Sequence, residues 1–87
     1  MAWKIEYTHT AKSQLKKLDR QVAKRILHYV DELSCLTEPH QRGKVLTGPL
    51  GGFWRYRVGD YRVICDIKNQ LLQILVVKIG HRRDIYD

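Results

Sequence analysis

Trp3, Ile5 and Tyr7 alternate with Lys4 and Glu6, the period-two pattern of a half-buried strand over residues 3–7. The period then lengthens. Ala11, Leu15 and Leu18 follow helical spacing behind Thr8 or Thr10, either of which can cap the helix. Asp19 then offers a fresh N-cap. A second apolar stripe runs through Val22, Ile26, Tyr29 or Val30, Leu33 and Leu36, before Pro39 and Gly43 end it. The two helices meet at Leu18-Asp19, which predicts an antiparallel hairpin rather than one unusually long helix.

Beyond the loop Thr47-Gly48-Pro49-Leu50-Gly51-Gly52, alternation returns over residues 53–58 and 61–67, separated by Gly59-Asp60. That spacing predicts a β-hairpin with a two-residue turn. Lys68-Asn69-Gln70 makes the next turn, and residues 71–79 are apolar on both faces except for Gln73 and Lys78, as a central strand requires. Gly80 closes that strand and leaves a tail at 81–87. The expected fold is α+β, in the order β-α-α-β-β-β. It has a mainly antiparallel four-stranded sheet and a two-helix hairpin on one face, and residues 1–87 form one domain.

A two-residue turn fixes the hairpin register: Val58 opposite Tyr61, Arg57 opposite Arg62, Tyr56 opposite Val63, Arg55 opposite Ile64 and Trp54 opposite Cys65. Trp54, Tyr56, Val58, Tyr61, Val63, Cys65 and Ile67 then share the surface that receives the helices. Trp3, Tyr7, Trp54, Tyr56 and Tyr61 therefore read as core rather than as a base-stacking platform. Arg55, Arg57 and Arg62 fall on the other, uncovered face. Like charges directly opposed across strands are destabilising, so folding alone gives no reason to set Arg57 against Arg62. An anionic ligand gives one, because the planar guanidinium fork matches phosphate oxygens. A solvated strand face shielded by long side-chain stems accounts for the same pattern.

Composition narrows the partners. With 44% hydrophobic and 29% charged residues over 87 positions, the chain suits a small compact domain whose chemistry lies on an open surface. Sixteen Lys and Arg against nine Asp and Glu give a net charge of +7, which points to a polyanionic partner. Both halves are basic, so there is no separate basic tail. No apolar run approaches the roughly 20 residues of a membrane helix, and the first residues lack a signal-peptide core, so no membrane partner and a cytoplasmic location are expected. Cys35 and Cys65 are read as two reduced, semi-buried thiols. His9, His28, His40 and His81 are scattered without ligand spacing, and the glycines form no phosphate-loop motif, so neither a metal nor a cofactor is expected.

The tail gathers His81, Arg82, Arg83 and Tyr86 just after the last strand. Cleaving a phosphodiester by its own 2′-hydroxyl requires removal of a proton, in-line geometry, stabilisation of the developing charge and a proton for the leaving 5′-oxygen. Arginines serve the charge, and Tyr86 or His81 offers proton transfer, although a tyrosine titrating near its ordinary value of about 10 is a weak base in the cell. Tyr86 packing on the sheet and His81 as a plain surface residue fit the sequence equally. Lys12, Lys16, Lys17, Arg20, Lys24 and Arg25 concentrate charge on the helices. They suit either a solvated face or sequence-independent docking on a large RNA, to which Arg83 can add.

Four segments carry a resemblance: residues 11–19, Leu46-Thr47-Gly48, the hairpin Trp54-Arg55-Tyr56-Arg57-Val58-Gly59-Asp60-Tyr61-Arg62-Val63, and Gly80-His81-Arg82-Arg83-Asp84-Ile85-Tyr86. Over nearly its whole length the chain resembles the RelE branch of the RelE/ParE superfamily of bacterial toxin–antitoxin toxins. The resemblance implies an endoribonuclease that enters the ribosomal A site, cuts mRNA without a metal and is inhibited by a cognate antitoxin. Its basic hairpin residues and its C-terminal arginine and tyrosine match Arg55, Arg57, Arg62, Arg82 and Tyr86 here. Some members carry lysine at the first two of these positions, and lysine can transfer a proton where arginine almost cannot. On this basis Arg55, Arg57 and Arg62 clamp the scissile phosphate, Tyr86 assists deprotonation of the 2′-hydroxyl, and Arg82 or His81 serves the leaving group. Two alternatives share the fold: a ParE-like gyrase inhibitor, and a non-catalytic or inactive RNA-binding relative.

Overall fold

The computed structural model describes residues 2–85. Its elements are β1 (Lys4–Tyr7), α1 (His9–Lys17), α2 (Arg20–Ser34), β2 (Lys44–Val45), β3 (Trp54–Val58), β4 (Tyr61–Lys68) and β5 (Gln73–His81). Thr8 caps α1, its hydroxyl accepting from the Ala11 amide at 3.1 Å, and the Asp19 carboxylate caps α2 through the Gln21 amide at 3.0 Å. The helices therefore break where the caps predicted, at Leu18-Asp19.

The sheet has five strands in the order β1-β5-β4-β3-β2, with β1 parallel to β5 and every other pairing antiparallel. The α+β class and the two-helix layer match the sequence expectation, and the additional strand is β2. Its two residues are too short to show a period. The β3–β4 register agrees with the expected pairing at every position, and Gly59 takes φ +59° at the first central position of the turn, as a type II′ hairpin requires. Trp3, Ala11, Ile26, Val30, Leu33, Tyr56, Val63, Cys65, Ile74, Val76 and Ile79 form the main core between helices and sheet.

Three expectations need correction. The last strand begins at Gln73, because Leu71 belongs to a 3-10 turn and Leu72 adopts a left-handed conformation (φ +49°). That strand also runs through Gly80, which pairs with Arg62 rather than closing it. The two thiols are not alike: Cys35 is exposed, whereas Cys65 is buried, and burial pushes its thiol far above the ordinary range.

Candidate active site

The face of the sheet away from the helices is not bare. Leu46, Ile64 and Ile85 form a second small apolar cluster there, joined by Leu50 and Phe53. Ile64 shares its face with Arg55, its cross-strand partner, and Ile85 lies over Gly80, the partner of Arg62. Arg55 and Arg62 are consequently only 7% exposed each, whereas Arg57 is exposed. The expected open arginine face is thus partly covered, and the physical reason is the loop and tail that fold over it. An unpaired two-strand ribbon would leave this hydrophobic Ile64 in water; the cluster removes it.

The three arginines occupy adjoining positions on that face. Arg57 sits directly opposite Arg62, and Arg55 is one same-face step along β3, diagonal to Arg62. The Arg62 guanidinium donates through Nη1 to the carbonyls of Gly59 (3.2 Å) and Tyr61 (3.0 Å), which turns it toward the hairpin end. Arg82 reaches the same end: its amide donates to the Asp60 carbonyl at 2.8 Å, and its Nε lies 3.8 Å from Asp60 Oδ1. Arg62 and Arg82 thus both contact the Gly59-Asp60 hairpin.

His81 is placed elsewhere. It is opposite Tyr61, and the two rings meet edge to face at 5.4 Å on the helix side of the sheet. Its Nδ1 accepts from the Arg83 amide at 3.2 Å. The sheet therefore separates His81 from Arg55 and Arg62, an outcome of the two-residue turn that sets Tyr61 on the core side. Tyr86 lies outside the described residues. Lys12, Lys16, Lys17, Arg20, Lys24, Arg25 and Arg83 are all exposed, the first six on the helical layer, so they and the buried arginine pair do not form one patch. Arg25 extends to the hairpin, with Nη2 3.1 Å from the position a Cβ would take on Gly59.

A second group of cations escaped the sequence reading. A cleft of about 360 Å³ is lined by Tyr29, Arg42, Gly43, Lys44, Arg55 and Arg57. It adjoins one of about 290 Å³ that shares Tyr29 and Arg57 and includes Arg25, His28 and Glu32. Burial pushes the Tyr29 hydroxyl above its ordinary value of 10.0, with Arg42 pulling the other way, so it stays a neutral donor at physiological pH. The signal in the sequence was two basic residues flanking Gly43, which by itself reads as loop punctuation.

Comparison with known proteins gives a consistent result. Residues 5–86 match the family model described as the ParE toxin of type II toxin–antitoxin systems, parDE. The chain is 30% identical to Toxin RelG of Mycobacterium tuberculosis over 99% of its own length and 98% of that protein's. It is also 30% identical to Toxin RelE of the same organism, over 94% and 84%. Among solved structures it resembles a chain of the RelBE2 toxin–antitoxin complex of M. tuberculosis, with TM-score 0.84, 26% identity, and coverage of 94% of this chain and 100% of that one. It likewise resembles a chain of the archaeal RelE–RelB complex of Pyrococcus horikoshii, with TM-score 0.74, 26% identity, and coverage of 94% and 97%. The chain therefore belongs to the ParE toxin family of type II toxin–antitoxin systems and, within the wider RelE/ParE superfamily, to its RelE branch.

Proposed function

We propose that this toxin is a ribosome-dependent endoribonuclease, acting as a single domain in the cytoplasm and held inactive by a cognate antitoxin. The observation that carries the reading is the adjoining placement of Arg55, Arg57 and Arg62 on the sheet face away from the helices, an arrangement that costs folding energy and suits a phosphodiester. The 2′-oxygen attacks phosphorus, the bond to the 5′-oxygen breaks, and the products carry a 2′,3′-cyclic phosphate and a 5′-hydroxyl. Arg55, Arg57 and Arg62 hold the phosphate and its added charge in place of a metal. Tyr86, as its phenolate, takes the 2′-hydroxyl proton and becomes the neutral phenol, directly or through a group that the ribosome orients. Arg82, on the hairpin turn that Arg62 also contacts, stabilises the charge on the departing 5′-oxygen, which takes its proton from water, a role its position suits better than that of His81.

None of these groups is a strong base at neutral pH, so the ribosome's part is to hold mRNA in line for attack. Such positioning is worth about 7–11 kcal/mol. Lys12, Lys16, Lys17, Arg20, Lys24, Arg25 and Arg83 then dock the toxin on ribosomal RNA through salt-sensitive contacts. In a translation extract the wild-type chain produces new mRNA 5′ ends at A-site codons, and Arg62→Ala lowers their rate by at least about 100-fold, the scale of one lost charge-stabilising donor. Equal cutting by Arg62→Ala refutes the clamp. The family model is named for ParE toxins, so gyrase supercoiling is measured in parallel: its inhibition without mRNA cutting replaces this reading with the gyrase one.

A further inference from the structure

The cleft beside β3 is built rather than incidental. Tyr56, fully buried, donates its hydroxyl to the Pro39 carbonyl at 2.8 Å, and the backbone of Gly43 passes over its ring. A Cβ on Gly43 would lie 2.8 Å from Tyr56 Cε1, so only glycine allows that approach. The Gly43 amide also donates to the His40 carbonyl at 3.0 Å, and Lys44 pairs with Arg55 in the β2–β3 ladder. Residues 39–44 are therefore fixed at both ends. Gly43 is extended (φ −111°, ψ −178°), which brings Arg42 and Lys44, two positions apart, to line the same cleft.

Its chemistry is that of a phosphate-backbone site. Arg42, Lys44 and Arg57 line it, and among the described residues no carboxylate pairs with Lys44 or Arg57. Arg42 has one weak, half-exposed contact, 3.9 Å to Glu32. An acidic protein segment is the less suited occupant, because protein interfaces are anchored by apolar side chains in pockets and this lining offers Tyr29 alone. Arg55 and Arg57, two of the three clamp arginines, also line the cleft, so an occupant of the cleft lies against the phosphate clamp.

We propose that the cleft bounded by Tyr29, Arg42, Lys44 and Arg57 seats the RNA backbone next to the scissile linkage, with Arg42 and Lys44 as positioning residues. The identity of the anion rests on the reading of this chain as an RNA-cleaving toxin; the existence of the site does not. The test is fluorescence anisotropy of the purified chain with a labelled 12-nucleotide single-stranded RNA whose riboses are 2′-O-methylated, so that binding is read without cleavage. Arg42→Glu combined with Lys44→Glu weakens binding at least tenfold. It also lowers the slope of log K against log salt by about 1.4, the contribution of two single-strand phosphates. Arg42→Lys combined with Lys44→Arg stays within threefold of wild type. Binding by the charge-reversed chain within twofold of wild type overturns the proposal, as does tighter binding of a polyglutamate peptide than of RNA, which assigns the cleft to an acidic protein. Arg62→Ala in the translation extract tests the nuclease reading separately, so failure of the site and failure of that reading are told apart.

Discussion

At Gly80 the absence of a side chain decides how the tail sits over the arginines. A Cβ there would lie 3.0 Å from Ile85 Cδ1 and 3.2 Å from its Cγ1. Ile85 is buried against Leu46 and Ile64 and has little room to yield. Gly80→Ala therefore destabilises the chain by about 1–3 kcal/mol through overpacking. Ile85→Val removes the closest atom, so the double variant loses less than the sum of the two single changes, a coupling that denaturant melts resolve. Additive losses would show that Ile85 does not pack on Gly80. The same pair matters to the site, because Ile85 belongs to the cluster on the face where Arg55 and Arg62 are buried.

At the scale of elements, β5 carries an irregularity that α1 completes. Cys65 pairs with Val76 and Ile64 with Lys78, leaving Val77 as a bulge, so Ile74, Val76 and Ile79 all reach the helix side despite their uneven spacing. β1 pairs with β5 only as far as Tyr7–Val76, and the exposed edge beyond is taken up by α1. Thr8 donates its hydroxyl to the Val77 carbonyl at 2.9 Å, and Gln14 Oε1 accepts from the Ile79 amide at 2.6 Å. Gln14→Ala strands that amide and costs roughly 1–2 kcal/mol, which at about 4–8 °C per kcal/mol is readily seen in thermal melts. Gln14→Glu keeps an acceptor and retains most of the stability; equal losses would remove the bond from the account. This bulge also marks where sequence reading stops. The caps at Thr8 and Asp19 and the β3–β4 register were legible because each depends on neighbours within a few positions. The apolar run in β5 hid its change of parity, β2 was too short to show a period, and the cover over Arg55 and Arg62 joins the loop before β3 to the distant Ile85 of the tail. For the same reason the three arginines were found, whereas Arg42 and Lys44 were not: their approach to Arg57 depends on Gly43 crossing Tyr56.

For the molecule as a whole, the core holds groups that ionise in alkali, and their burial makes stability fall as pH rises there. Tyr56 and Cys65 lie in the main core and Tyr7 and Tyr29 pack against it; burial is the leading cause of a raised pKa for all four. Tyr7 is pushed up to about 12, with Asp31 adding to the effect of burial. The sign follows from linkage. A group whose pKa is higher folded than unfolded contributes full stability below its unfolded value, and that contribution falls away as pH rises to the folded value. For Cys65 the loss begins near 9.0 and for the tyrosines near 10.0, and the share of Tyr7 is exhausted at about 12. Thermal midpoints should therefore hold steady from pH 7 to about 9 and fall steeply above it. Tyr7→Phe cannot ionise, so its midpoint declines less than that of wild type between pH 10 and 12, while the two curves run parallel below pH 9. Parallel curves through the whole alkaline range would mean that Tyr7 ionises as readily in the folded chain as in the unfolded one, and that its ring is not held in the core as described.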